Sequence, residues 1–274
     1  MRPDTEAVRS VVERQWRLPG AEVTEHHGGM NSATWFVSRG DERWVAKAVP
    51  VEPARFAAAL RVATAVERAG IPAGAPARPI ATIGDASIAL LTFVPGRPLT
   101  AADHETIGAT LAAAHRALRG VTVPGEERFH WVDPAAAHLG VRGWIRPAVA
   151  DAVSALGTGW TTGLLHADPS PEAFRRAGLT GLIDWGDGAL RGPLLYDLAS
   201  AVMYAGPAVV EPYLSGGVLT AAEVEAGLPR LLRFRYAVQA DYFARRIVAD
   251  DRTGIADPAE NEKGLADAER FLTQ

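Results

Sequence analysis

Four side chains in this chain have the type and setting for chemistry: Lys47, His166, Asp168 and Asp184. Lys47 lies in Trp44-Val45-Ala46-Lys47-Ala48-Val49, an otherwise apolar run. An ammonium there is costly to bury without a partner, and a di- or triphosphate would supply one; an edge strand whose lysine reaches water is the plainer alternative. His166-Ala167-Asp168 follows the apolar run Gly163-Leu164-Leu165. Asp168 could take or orient the proton of a substrate hydroxyl, and His166 could hold the loop by hydrogen bonding. Asp184 ends a second apolar run, Leu179 to Ile183, and is a hard-oxygen ligand of the kind Mg²⁺ takes. A turn aspartate is the alternative. Two short buried strands, each ending in a carboxylate, would hold two acids over one pocket.

Other residues would support such a pocket. His27-Gly28-Gly29-Met30-Asn31 sits between two strand-like runs, where glycines let backbone N–H groups approach an anion; a plain hairpin turn explains it equally. Asp197 lies in the apolar helix-like run Leu194-Leu195-Tyr196-Asp197-Leu198-Ala199, so it should brace a neighbouring loop by hydrogen bonds. His115, in an Ala/Leu-rich segment, reads as a satisfied core histidine.

Composition narrows the class. The 274 residues carry a formal net charge of −4, which offers no general pull toward nucleic acid or an anionic membrane. The absence of cysteine excludes disulfides, thiolate metal sites and a cysteine nucleophile. No apolar run reaches the ~18 residues of a membrane span, and the first ten residues lack a signal-peptide core. A cytoplasmic protein with no membrane or nucleic-acid partner is the expectation.

The elements that must position these residues follow from periodicity. A helix over 4–16, capped by Asp4, precedes strands at 22–27, 33–38 and 43–49. A helix over 53–69 ends at Gly70-Ile71-Pro72, and two more strands run near 79–83 and 87–94. Pro and Gly cluster at 95–98, and the chain beyond is mainly helical. Helices are expected over 100–118, in 133–156, from Gly192-Pro193 to Tyr204, from a capping box at Thr220–Glu223 to about 250, and from Asp257 onward. A cleft between such halves is a favoured ligand site.

Taken in order, GGMNSATWFV, WVAKAV, LTFVPGRPLT, LAAAHRAL, LLHADPSP, GLIDWGD and GPLLYDLA resemble the aminoglycoside phosphotransferase and choline-kinase-like family, a branch of the protein-kinase-like fold. The resemblance implies an α+β, bilobal fold. Residues 1–95 would form an N-lobe with a five-stranded antiparallel sheet plus helix, and residues 96–274 a mainly helical C-lobe. It implies transfer of a phosphoryl group from ATP or GTP to a small-molecule hydroxyl, by a monomer or homodimer. Gly28, Gly29 and Asn31 would belong to the nucleotide loop, Lys47 would hold the α/β phosphates, and the backbone near Phe93 and Val94 would bind the base. Asp168 would be the catalytic base, with His166 beside it, and Asp184 would hold Mg²⁺. Such reactions are run by positioning and charge neutralisation, so this small set suffices.

The chain departs from the family twice. Ala173 stands where the family has a metal-ligating Asn, five residues after Asp168; Glu172 or Ser170 would have to substitute. Mid-helix after Lys47, where the family has a Glu, the sequence reads Phe56-Ala57-Ala58-Ala59-Leu60, and Glu52 and Glu67 are poorly placed. A nucleotide-binding pseudokinase is therefore an alternative, and a metal-dependent hydrolase using His166, Asp168, Asp184 and Asp187 another. The acceptor region holds Asp241, Asp250, Asp251, Asp257, Glu260 and Glu262, which suit a polycationic aminoglycoside, but also Arg230, Arg233, Arg235, Arg245 and Arg246, which do not. Trp131, Trp144, Trp160, Trp185, Tyr204, Tyr236 and Tyr242 offer stacking surfaces. Another antibiotic, an amino alcohol or a sugar thus stays open as acceptor.

Overall fold

The computed structural model of the chain describes residues 3–26, 30, 32–50, 52–129, 132–186 and 188–274. Gly28, Gly29 and Asn31 of the glycine turn, together with Trp131 and Asp187, lie outside the described residues.

The N-terminal half begins with α1 (Thr5–Arg14), followed by β1 (Glu22–His26), β2 (Ala33–Arg39) and β3 (Glu42–Val49). Then come α2 (Pro53–Arg68), β4 (Ala81–Ile83) and β5 (Ala86–Thr92). Asp4 caps α1 as expected, accepting from the Ala7 N–H at 2.7 Å. The five strands form one antiparallel sheet in the order β1-β2-β3-β5-β4.

Strand alternation splits this sheet into two faces. Trp35, Val37, Trp44, Ala46 and Ala48 pack under Val8, Val11 and Val12 of α1. Trp35 is fully buried and its indole N–H donates to Thr5 Oγ1 at 3.1 Å, which ties α1 to the sheet. The opposite parity puts Thr34, Phe36, Val45, Lys47 and Leu91 on the cleft face, in the register Thr34↔Lys47, Phe36↔Val45 and Val45↔Leu91. Lys47 therefore faces the cleft because it is two residues from Val45.

The helical half contains β6 (Arg97–Pro98), α3 (His104–Ala117), β7 (Glu127–Arg128), α4 (Ile145–Ser154) and β8 (Thr162–Leu164). These are followed by β9 (Phe174–Ala177), β10 (Leu179–Leu182), β11 (Leu190–Pro193), α5 (Leu194–Ala205), α6 (Val210–Leu214), α7 (Ala221–Val248) and α8 (Ala259–Leu272). The architecture is α+β and bilobal, as the resemblance implies. Helix α2 joins the halves. Its Phe56 and Leu60 pack on the sheet, while Ala58, Val62, Ala63 and Val66 share a core with Ile107 and Leu111 of α3.

Two local expectations are refined and one strand is added. Gly192-Pro193 leads into the expected helix, with Pro193 as its N-cap residue, but the two residues also belong to a strand. Both residues end β11, which pairs antiparallel with β8 and parallel with β7, and α5 starts only at Leu194. Gly192 serves close packing there, since a Cβ would lie 2.7 Å from Cβ of Phe129. Thr220–Glu223 is half a capping box. Thr220 Oγ1 accepts from the Glu223 N–H, but the Glu223 carboxylate goes to Thr161, accepting from its N–H at 2.6 Å and its hydroxyl at 2.8 Å. The stretch between the two apolar runs contains a strand of its own, β9, which forms a hairpin with β10 through Gly178 at φ +87°.

Candidate active site

The two acid-bearing loops are fastened to one buried carboxylate and to each other. Asp197, fully buried on α5, accepts from the backbone N–H of His166 at 2.7 Å and of Ala167 at 2.9 Å. His115 Nε2, on α3, lies 3.0 Å from the same carboxylate, so it donates there. His115 Nδ1 is then free to accept from the Tyr213 hydroxyl at 2.7 Å. Burial and the nearby negative charge of Asp197 push the Tyr213 hydroxyl far up, which keeps it a donor. Asp197 is thus the brace, and His115 the satisfied core histidine, that the sequence suggests.

His166 is buried. Its Nε2 donates to the Ile183 carbonyl at 2.8 Å, and its ring stands edge-on to Trp185 with centroids 4.7 Å apart. It therefore links the loop after β8 to the segment after β10, while its Nδ1 is buried without a partner. Both links pass through left-handed backbone: Ala167 has φ +76° and Asp184 φ +77°. Non-glycine residues in that region carry strain that the surrounding bonds must offset. The sharp turns separate His166, aimed inward, from Asp168, whose side chain is half exposed.

Lys47 and Asp184 meet across the cleft as an ion pair between residues 137 apart in sequence. The positive charge of Lys47 holds the Asp184 carboxyl below the usual carboxylate range. The carboxylate lies deep between the lobes but stays open to cleft water, which screens the pair. Gly186 makes the room, because a Cβ there would stand 2.7 Å from Lys47 Nζ. No N-lobe glutamate reaches the lysine among the described contacts. Glu67 instead braces the segment leaving α2 and the end of β5, accepting from the N–H of Ala73 at 3.2 Å, the N–H of Ala75 at 3.1 Å and the Thr92 hydroxyl at 3.3 Å.

Both residues of this ion pair line a cavity of about 540 Å³ between the lobes. Phe36, Val45, Leu91, Phe93 and Val94 make its apolar walls, and Glu172 and Arg175 enter it from the helical half. The structure thus brings Lys47, Asp184, Glu172, Phe93 and Val94 to one cavity. Asp168 is not among the lining residues; it stands on the loop that His166 joins to the Asp184 segment. Ala173 is buried, and its carbonyl accepts from the Ile183 N–H at 2.8 Å, so this position serves the backbone. Among the described residues no group of three or more His, Cys, Asp or Glu could hold a metal ion; Asp187 of the hydrolase set lies outside them.

Asp168 has partners that the sequence reading did not assign. Its Oδ1 accepts from the Tyr204 hydroxyl at 2.7 Å and from Arg235 Nη2 at 2.9 Å. Arg235, on α7, is buried, donates through Nε to Ser200 Oγ at 3.0 Å, and lies over the Tyr204 ring. A signal existed for half of this. Asp197, Ser200 and Tyr204 follow i, i+3, i+7 spacing, which puts all three on one face of α5.

The fold and this cleft define a kinase-like phosphotransferase, and the comparisons agree. The chain belongs to the phosphotransferase enzyme family, whose model (APH) matches residues 22–232. No curated protein matches it. The fold is similar to the GDP complex of aminoglycoside 2'-phosphotransferase-IIIa, with TM-score 0.72 and 16% identity, covering 99% of each chain. A choline/ethanolamine kinase family protein from Mesorhizobium loti gives TM-score 0.71 and 16% identity over 98% of this chain and 95% of that one. Choline kinase LicA from Streptococcus pneumoniae gives TM-score 0.68 and 12% identity over 98% and 99%. No helix among the described residues is long and apolar enough to cross a membrane.

Proposed function

We propose that this protein transfers the γ-phosphoryl group of ATP or GTP, bound with Mg²⁺, to a hydroxyl of a small molecule. The observation that carries this reading is the Lys47–Asp184 pair lining a largely apolar interlobe cavity. A triphosphate would sit at the charged end with Lys47 on its oxygens, and its base would lie between Phe36, Leu91 and Val94 at the other. The acceptor oxygen would form a bond to the γ-phosphorus as the bond to the β–γ bridging oxygen breaks. Asp168 would orient the acceptor hydroxyl and take its proton.

The donor set suits Mg²⁺, which takes one or two carboxylates and completes its shell with phosphate oxygens and water. Asp184 is open to the cleft, and Glu172 lines the same cavity, so these two would hold it. When bound, the ion would neutralise charge on the transferring phosphates.

Solved relatives of this fold have been captured with GDP and kanamycin and with ADP and hygromycin B. For this chain we favour an acceptor that is not a polycation. Asp241 is paired with His138 and Arg245, Asp251 with Arg246, Asp250 with Arg252 and Glu262 with Arg142. Asp257 and Glu260 accept backbone N–H groups at the start of α8. These carboxylates are already committed within the protein.

The deciding experiment is calorimetric titration of Mg·ATP and Mg·GTP, followed by ADP or GDP release over a panel of aminoglycosides, amino alcohols and sugars. Binding that requires Lys47, with acceptor-stimulated release, is expected. No nucleotide binding would overturn the reading. Binding with no release across the panel would favour a pseudokinase, which the missing asparagine at Ala173 makes the competing reading.

A further inference from the structure

Arg175 is the cavity residue that the phosphoryl-transfer reading leaves without work. It lies on β9, where alternation buries Phe174 in the core and turns Arg175 to the cleft. Its Nε is buried and has no hydrogen-bond partner, and the guanidinium forms no ion pair with a described residue. A buried N–H with no acceptor has lost its water and gained nothing in exchange, so it destabilises the fold. It persists in a folded chain where something outside the chain completes it.

Its place in the cavity says what that something is. Arg175 is opposite Pro98 in the β6–β9 register, and both line the cavity beside Val94. This is where the chain leaves β5 for the helical half. Lys47, with Asp184 and Gly186 around its tip, pairs with Ala89, three residues back from that exit. The group beside Arg175 is therefore the nucleoside end of a nucleotide and not its phosphates. A purine offers a π face to a planar guanidinium and ring acceptors to its N–H groups, and a ribose offers hydroxyl oxygens.

We propose that Arg175 is a nucleotide-binding residue that engages the base and ribose, with its buried Nε–H completed by an acceptor on them. The proposal rests on the nucleotide reading of the cleft. It adds a contact from the helical half to a nucleoside otherwise held by apolar walls.

The test is calorimetric titration of Mg·ADP and Mg·GDP into the full chain and its Arg175→Leu and Arg175→Lys variants, with melting of each unliganded protein. Arg175→Leu should bind the preferred nucleotide roughly tenfold to hundredfold more weakly, the range of a charge-assisted hydrogen bond or desolvated cation–π contact. Its unliganded melting temperature should stay level or rise, because an unsatisfied donor is removed. Arg175→Lys, which keeps the charge and loses the plane and the Nε–H, should fall between. Unchanged affinity in Arg175→Leu overturns the proposal. Should that variant melt early, Arg175→Lys decides alone, wild-type affinity being the contrary result. If the unaltered protein binds neither nucleotide, the function proposed above falls, and this inference falls with it. A variant matching a nucleotide-binding parent defeats this inference only.

Discussion

Arg235 Nη2 lies 2.9 Å from Asp168 Oδ1, and Tyr204 donates to the same oxygen at 2.7 Å. Both described bonds end on Oδ1, so Oδ2 is the oxygen left to meet an acceptor hydroxyl. A carboxylate held by a buried guanidinium is fixed in rotation, and such positioning supports transfer more than nucleotide binding.

Arg235→Met should accordingly lower kcat about tenfold or more while leaving the KM for nucleotide near its original value, and Tyr204→Phe should do so by less. Steady-state ADP release at varied ATP separates the two parameters. Equal effects on both would contradict a positioning role. The pair also affects stability. Asp168→Ala should lower stability by about 1 kcal/mol in urea unfolding, because it leaves a buried guanidinium with only Ser200 and Tyr204; half-exposure of Asp168 keeps the figure small.

Asp197 carries a larger load. Its carboxylate serves the N–H groups of His166 and Ala167 and the ring of His115, all within the core. Asp197→Ala orphans three donors at once and should cost about 3–5 kcal/mol, the range for breaking a buried charged network. The left-handed turn at Ala167 would then lose the bonds that hold it, so transfer should fail even below the melting temperature. Chemical denaturation gives the first number and a transfer assay the second; a loss under 1 kcal/mol would contradict the bracing role.

The Lys47–Asp184 pair predicts a response to acid. Asp184 has its carboxyl depressed in the folded state, chiefly by the lysine charge. A depressed carboxyl contributes stability that is complete above its unfolded pKa of about 3.9 and is lost as pH falls through the lower folded value. The pair should therefore contribute in full at neutral pH, and its contribution should fade only below about pH 4. Lys47→Met should move the acid-unfolding midpoint upward, read by circular dichroism along a pH series. The shift should shrink in high salt, since the carboxylate is open to water. An unmoved midpoint would mean that the pair adds nothing to the folded state.

How much of this could be read beforehand depended on whether a residue's own neighbours in sequence constrained it. Asp197 was legible because an acid within an apolar helix has to find donors, and a loop after a buried strand supplies them. Lys47 was legible because strand parity gives it a face. Its partner was not, since contact with Asp184 depends on how the two lobes close. Arg235 was hidden for a different reason: α7 carries several arginines, and their spacing does not say which one reaches across to Ser200 and Asp168. Glu67 looked misplaced as a lysine partner because its task is local, capping the N–H groups of Ala73 and Ala75. The strand β9 was overlooked because Phe174-Arg175-Arg176-Ala177 has one apolar side chain facing the core, too little pattern for a two-residue period. Gly192-Pro193 marked the start of α5 to within a residue, but its place in β11 went unread because Pro is at home both at a helix start and at a strand end.

Gly186 offers the sharpest single test of the charged end of the cavity. It needs no special φ, so alanine there is not a backbone problem. The obstacle is space, with a Cβ 2.7 Å from Lys47 Nζ and 3.8 Å from Asp184 Oδ1. The lysine tip is flexible and can retreat, so Gly186→Ala should leave the unliganded melting temperature within about 2 °C, a surface-scale change. The retreat, however, moves the ammonium from the place where phosphate oxygens would meet it. Affinity for Mg·ADP should fall about tenfold, the scale of one charged hydrogen bond, while adenosine binding stays as it was. Calorimetry with both ligands separates these outcomes, and equal loss for the two would place the obstruction at the nucleoside end instead.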